Sequence, residues 1–93
     1  MLHVKILIPE AIVWEGDASA VSSKNAEGPF DILPEHANFI TLVAGTPVRV
    51  FSGETLHEYT FDKAVIFAHE NTVSIFANIA PTVSTRKKDA KTT

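Results

Sequence analysis

The sequence has no cysteine and no long apolar run in its 93 residues. Disulfide bridges and thiolate metal sites are therefore excluded. No stretch approaches the roughly 20 apolar residues that a membrane-spanning helix needs. The apolar start, residues 2–8, is interrupted by His3 and Lys5 and ends at Pro9, which is not the pattern of a signal peptide. These absences predict a soluble, cytoplasmic protein.

Basic residues are in the minority, with 8 Lys and Arg against 11 Asp and Glu and a net charge of −3. Proteins that bind nucleic acid without sequence preference neutralise phosphates with Lys and Arg, so this class is disfavoured. Four of the basic residues lie near the C-terminus, at Arg86, Lys87, Lys88 and Lys91. The hydrophobic fraction of 45% indicates a chain that folds, and its length indicates one domain.

No segment repeats apolar positions at the three- and four-residue spacing of a helix. Alternation with a period of two begins at once, with Leu2, Val4, Ile6 and Ile8 apolar. Short segments of strand character then recur between turn signals, at residues 2–8, 11–15, 18–23, 30–33, 39–43, 48–51, 56–61, 64–68 and 72–80. The pattern predicts an all-β fold, a single flattened sandwich or barrel of roughly nine to ten short strands.

Residues 1–81 are predicted to form this domain, because Pro81 ends the last apolar strand and residues 82–93 read as a disordered basic tail. The two apolar runs at 64–68 and 72–80 are predicted to be the most buried strands, joined by a hairpin turn in which Asn71 takes the left-handed conformation. A four-residue loop, residues 52–55, is expected in the preceding hairpin.

Catalytic and metal-binding patterns are missing. The four histidines, His3, His36, His57 and His69, are far apart and have none of the spacings typical of zinc sites. There is no GxSxG motif and no glycine-rich phosphate loop. We expect no catalytic residue, no cofactor and no metal. His36 differs from the other histidines because it lies at a corner between two apolar strands. There its ring either forms a structural hydrogen bond or contacts a partner.

That corner belongs to the most distinctive stretch, residues 26–43, AEGPFDILPEHANFITLV. Gly28-Pro29 signals a turn, an apolar strand follows, and Pro34 ends it. Polar residues 35–38 then precede a second apolar strand. Read from the residues alone, the stretch offers an interaction surface.

The same stretch resembles the N-terminal β-sandwich of the epsilon subunit of F-type ATP synthase, called delta in mitochondria, which carries a segment ending Gly-Ile-Leu-Pro-Gly-His-Ala. The matching residues are Gly28, Phe30, Ile32, Leu33, Pro34, His36, Ala37, Ile40, Leu42 and Gly45. The segment 13–16, Val-Trp-Glu-Gly, and the strand after Asn71 resemble the family as well. In this chain Asp31 and Glu35 stand where the family usually has glycine, and Pro29 stands where it often has an acid.

The resemblance implies a non-catalytic rotor subunit of the central stalk, which binds the gamma subunit and the membrane ring and so couples proton transport to ATP synthesis. It would lie on the cytoplasmic face of the inner membrane and meet the membrane only through the complex. The C-terminal helical hairpin of the family is absent from the sequence. The implied partner-binding residues are Phe30, Asp31, Glu35, His36, Asn38 and Phe39. The alternative is a free-standing β-sandwich module with a different protein or small-ligand partner, because fold alone does not fix function.

Overall fold

The computed structural model describes residues 1–35 and 38–87, and within them every regular element is a β-strand. The ten strands are β1 (Leu2–Ile8), β2 (Ala11–Ala18), β3 (Ala20–Asn25), β4 (Gly28–Ile32), β5 (Phe39–Val43), β6 (Pro47–Ser52), β7 (Thr55–Thr60), β8 (Ala64–His69), β9 (Thr72–Ala77) and β10 (Thr82–Lys87). They form two five-stranded sheets packed as a sandwich, which confirms the predicted fold class.

One sheet has the order β2-β1-β9-β8-β5, and we call it the mixed sheet because β1 and β9 run parallel while its other pairs are antiparallel. The other sheet, of order β10-β7-β6-β3-β4, is antiparallel throughout. Pro29 lies in β4, the edge strand of the antiparallel sheet, where a residue without an N–H group is tolerated. The chain thus folds largely as hairpins, with one long-range parallel contact between its first and ninth strands.

The core lies between the sheets and comes from inward-facing residues of β1 to β9, whereas residues 82–85 of β10 are exposed. Leu2, Val4 and Ile6 of β1 are fully buried, and Ile66 of β8 lies opposite Ile75 of β9 in register. The remaining buried apolar residues are Ala18, Val21, Ile32, Val43, Val48, Val50, Leu56, Tyr59, Phe61, Ala64, Ala68 and Val73. Valine and isoleucine make up ten of the 17 buried apolar residues of the described chain, and such β-branched side chains suit a pleated surface.

Several local expectations differ from the structure. Residues 82–87, expected to be part of a disordered tail, form β10 and pair with β7 from Thr82 opposite Thr60 to Lys87 opposite Thr55. Backbone pairing with β7 forms this strand, although the polar side chains of the segment show no strand pattern. Residues 88–93 of the expected tail lie outside the described residues.

Two turns also differ. The β6–β7 hairpin has a two-residue turn, because Ser52 and Thr55 are themselves paired around Gly53, whose φ is 62°. In the β8–β9 turn the left-handed residue is Glu70, with φ of 56°, and Asn71 is not left-handed. The side-chain oxygen of Asn71 instead accepts the backbone N–H of Glu35.

Candidate docking surfaces

The outer face of the mixed sheet is apolar over its β5, β8 and β9 strands. Five large side chains of β5, β8 and β9 are exposed there: Ile40, Leu42, Val65, Phe67 and Phe76. They are neighbours across the strands, since Ile40 lies opposite Phe67, Leu42 opposite Val65, and Val65 opposite Phe76. We call this group the apolar face. Ile40 is 65% exposed and Phe76 50%, so the group forms a continuous hydrophobic patch rather than scattered single residues.

The prediction that β8 and β9 are the most buried strands is therefore wrong for one side of each strand. In β8 buried and exposed residues alternate strictly, with Val65 and Phe67 exposed. A continuous apolar run is typical of a strand that is buried on both faces of its sheet. Here the second face is open.

The outside of the antiparallel sheet has a different character. Arg49 Nε donates to Glu58 Oε2 at 2.9 Å, and the Ser22 hydroxyl donates to Asp31 Oδ1 at 2.5 Å. Both pairs place polar and charged groups on this face. The sandwich therefore presents chemically distinct faces.

Open grooves flank the edge strand β5. One, of about 190 Å³, is lined by residues that include Leu42, Val65 and Phe76. Another, of about 330 Å³, lies between Ile40 and the β3–β4 turn at residues 25–27. Both grooves are open to solvent and shallow, which suits a protein surface better than the enclosed site that a small ligand requires.

The corner, residues 33–38, joins β4 to β5 at one end of the sandwich. Beneath it, the rings of Phe30 and Phe39 lie with their centroids 5.2 Å apart and pack against the core, so both are half-buried. Asp31 accepts its hydrogen bond from Ser22 on the neighbouring strand. His36, the corner residue that stood out in the sequence, lies outside the described residues.

Two asparagines link the corner to the β8–β9 turn. The backbone N–H of Glu35 donates to Asn71 Oδ1 at 2.6 Å, and the backbone N–H of Glu70 donates to Asn38 Oδ1 at 3.4 Å. Glu35 has a φ of 64°, so both residues whose N–H groups are captured are left-handed. Glu35 and Asn38 are among the residues that the sequence predicts to bind a partner. The bonds to Asn71 and Glu70 could not be predicted, because each joins residues more than 30 positions apart along the chain.

The other histidines occupy three different environments. His3 lies on the outer side of β1, with Nε2 2.7 Å from Glu15 Oε2 and Nδ1 3.3 Å from Asp17 Oδ1. The pKa of His3 is raised, mainly by its hydrogen bond to Glu15 and secondly by its bond to Asp17. The hydrogen bond between His3 and Glu15 also lowers the pKa of Glu15. Among the described residues, no group of three His, Asp or Glu side chains is placed to hold a metal ion.

His57 lies in an aromatic environment. Its ring lies 5.0 Å from that of Trp14 and stacks on buried Tyr59, so it forms part of an aromatic row between the sheets. His69, at the end of β8, stacks on Phe67 at 6.3 Å. His57 Nδ1 also lies 3.4 Å from the Thr85 hydroxyl, and His69 Nε2 lies 3.9 Å from Glu70 Oε2.

Comparison with known proteins decides the family. The family described as "ATP synthase, Delta/Epsilon chain, beta-sandwich domain" matches residues 1–83. The chain belongs to this family. The resemblance that the stretch 26–43 indicated is thereby confirmed, and the match reaches into β10, beyond the predicted domain end at residue 81.

Curated relatives support the assignment. The chain is 30% identical over 77 residues to an ATP synthase epsilon chain of Leptospira borgpetersenii and 32% identical over 79 residues to that of Halalkalibacterium halodurans. These matches cover 83% and 85% of this chain but only 61% and 59% of those relatives. An epsilon chain of Frankia casuarinae is 35% identical over 80 residues, and there the match covers 94% of the relative.

Solved structures share the fold at lower identity. A chain of the Euglena gracilis mitochondrial ATP synthase, in an assembly that includes its c-ring, superimposes with a TM-score of 0.77 over 86% of this chain and 52% of that one, at 15% identity. A chain from the central stalk and c-ring of Tetrahymena thermophila mitochondrial ATP synthase gives 0.68 over 92% and 66%, at 13% identity. Within residues 1–35 and 38–87, no helix is long and apolar enough to cross a membrane.

The family assignment gives meaning to one departure in the corner. Glu35 stands where the family usually has glycine, and its φ of 64° is a conformation that glycine adopts without a steric penalty. The backbone of this chain therefore keeps a left-handed geometry with a larger residue in place.

Proposed function

We propose that this protein is a non-catalytic rotor subunit of an F-type ATP synthase, which binds the gamma subunit through its apolar face and meets the membrane ring through its corner. The observation that carries the proposal is the apolar face on a member of the epsilon family. Torque would pass through these two surfaces, coupling proton transport to ATP synthesis without an active site in this chain.

The apolar face suits a soluble partner that stays bound. Its five side chains are large, adjacent and exposed, and the cores of lasting interfaces are enriched in such residues. Aromatic residues such as Phe67 and Phe76 contribute most to binding when they become fully desolvated. The gamma subunit of the stalk is such a partner, since it turns together with epsilon and need not dissociate.

The corner suits a polar partner surface. Glu35 and Asn38 are exposed, and the half-buried rings of Phe30 and Phe39, on the two strands that the corner joins, pack against the core. The loops of a membrane ring that project into water are polar, so they match this end better than the apolar face. Asp31, beside the corner on β4, and His36, within it, complete the proposed contact set.

The proposed location is the cytoplasmic face of the inner membrane, with membrane contact only through the complex.

The test is co-purification of the tagged full chain with cognate gamma subunit and, separately, with detergent-solubilised ring. Phe67→Ser and Phe76→Ser are expected to weaken gamma binding at least tenfold, because each removes an apolar anchor worth about 2 kcal/mol at an interface. Val83→Ser is the matched control, since Val83 is 52% exposed but lies on the antiparallel sheet.

For the corner, Glu35→Lys and His36→Ala are expected to weaken ring binding while the thermal midpoint stays nearly unchanged. Separate elution of wild-type protein and gamma subunit at tens of micromolar would contradict the stalk assignment and favour an independent binding module.

A further inference from the structure

The corner and the β8–β9 turn are separate in sequence but are joined by reciprocal bonds. In each bond an asparagine side-chain oxygen of one loop accepts the N–H of a left-handed glutamate in the other loop: Asn71 takes that of Glu35, and Asn38 takes that of Glu70. The two bonds bracket the corner, one near its middle and one at its end. Each bond restricts the conformations open to the residue that it holds, Glu35 in one case and Asn38 in the other.

Asn71 is itself anchored to the sheet. Its backbone carbonyl accepts the N–H of His3 at 2.8 Å, next to the register in which His3 lies opposite Thr72. The two bonds, which we call the clamp, therefore connect Glu35 and Asn38 to the turn before β9, and this turn is itself bonded to β1.

The turn itself could be made without this arrangement. Asparagine is one of the residues that enter the left-handed region most readily, yet here the left-handed position is occupied by Glu70 and the asparagine follows it. With asparagine at position 71, its side-chain oxygen accepts the N–H of Glu35. In the same way, the side-chain oxygen of Asn38 accepts the N–H of Glu70.

We propose that Asn71 and Asn38 are positioning residues that hold two described residues of the corner, Glu35 and Asn38 itself, in the conformation that docks on the membrane ring. The inference rests on the proposed function for its docking partner. Preorganisation lowers the conformational entropy lost on binding, so Asn71 strengthens ring binding through Glu35 without contacting the ring itself.

The chemistry of the clamp provides a matched pair of variants. Only the side-chain oxygen of each asparagine is used, as an acceptor, so aspartate can replace it and alanine cannot. Asn71→Ala is expected to speed amide exchange at Glu35 about fivefold and to weaken binding to the detergent-solubilised ring by a similar factor. Asn71→Asp is expected to restore both, and gamma binding is expected to stay at the wild-type level in both variants.

Amide exchange by NMR on the free full chain and ring binding by the full chain are measured in parallel. Unchanged exchange at Glu35 in Asn71→Ala would overturn the clamp, and faster exchange with unchanged ring affinity would overturn its positioning role. Asn38→Ala, read at the Glu70 amide, repeats the test from the other side. Failure of wild-type protein to bind the ring would instead refute the proposed function, which separates the two outcomes.

Discussion

Replacing Glu35 by glycine should stabilise this protein, although a surface carboxylate is removed. Glu35 has a φ of 64°, in the left-handed region where the Cβ of an ordinary residue comes too close to the backbone. That conformation costs about 1 to 2 kcal/mol for a residue other than glycine. Its N–H bond to Asn71 uses only the backbone, so Glu35→Gly retains it.

The gain is offset by the greater freedom of glycine in the unfolded chain, which costs about 0.5 to 1 kcal/mol. The net expectation is a stabilisation of about 0.5 to 1 kcal/mol. For a domain of this size, that corresponds to a rise in the thermal midpoint of about 2 to 8 °C. Thermal unfolding followed by circular dichroism measures this change directly.

Glu10→Gly is the matched control, because Glu10 is an exposed glutamate in the β1–β2 turn without a positive φ. There only the entropic cost applies, so the midpoint should fall. If Glu35→Gly lowers the midpoint as Glu10→Gly does, residue 35 is not strained and the reasoning is refuted. Glu70→Gly, at φ of 56°, provides an independent second case with the same expected sign.

Three further outcomes are expected. Ile75→Ala, at a fully buried position of β9, should cost about 2 to 5 kcal/mol in chemical denaturation, and a cost below 1 kcal/mol would contradict the assignment of the core side. Gly16→Ala should displace the ring of Trp14, since an added Cβ would lie 2.8 Å from its Cζ2, and red-shift the fluorescence of the only tryptophan; an unchanged spectrum would refute this contact. His3→Gln should lower the thermal midpoint between about pH 4.5 and 6.5 and have less effect at either side. Because the pKa of His3 is raised, the stabilisation from His3 is lost as pH rises through its pKa in the folded protein. Because the pKa of Glu15 is lowered, the stabilisation from Glu15 is lost as pH falls through its pKa in the folded protein. A difference in midpoint that does not depend on pH would contradict the His3–Glu15 pair.

Local pattern was sufficient for most of the strands. The alternation of Leu2, Val4 and Ile6 predicts β1, because a period of two depends only on neighbouring residues. Turn residues such as Gly28 and Gly53 mark hairpin ends for the same reason. The strand β10 was missed because its polar residues carry no such pattern, and its order comes from pairing with β7.

The candidate site was only partly accessible from sequence. The corner could be recognised from its turn residues and family motif, but its partners Glu70 and Asn71 could not, since a hydrogen bond between residues 35 and 71 leaves no trace in local spacing. The apolar face was hidden for a related reason. Val65 and Phe67 look the same as core residues in a linear sequence.

The sequence by itself determined that the chain is all-β, where most of its strands begin and end, and which family motif it carries, because these depend on short-range periodicity and turn chemistry. Tertiary structure alone decided which apolar side chains face water. Burial of Ile66 and Ile75 between the sheets leaves Phe67 and Phe76, the next residue on each strand, on the open face. It also decided that β1 and β9 lie side by side, which brings Asn71 to the start of β1 and within reach of the corner.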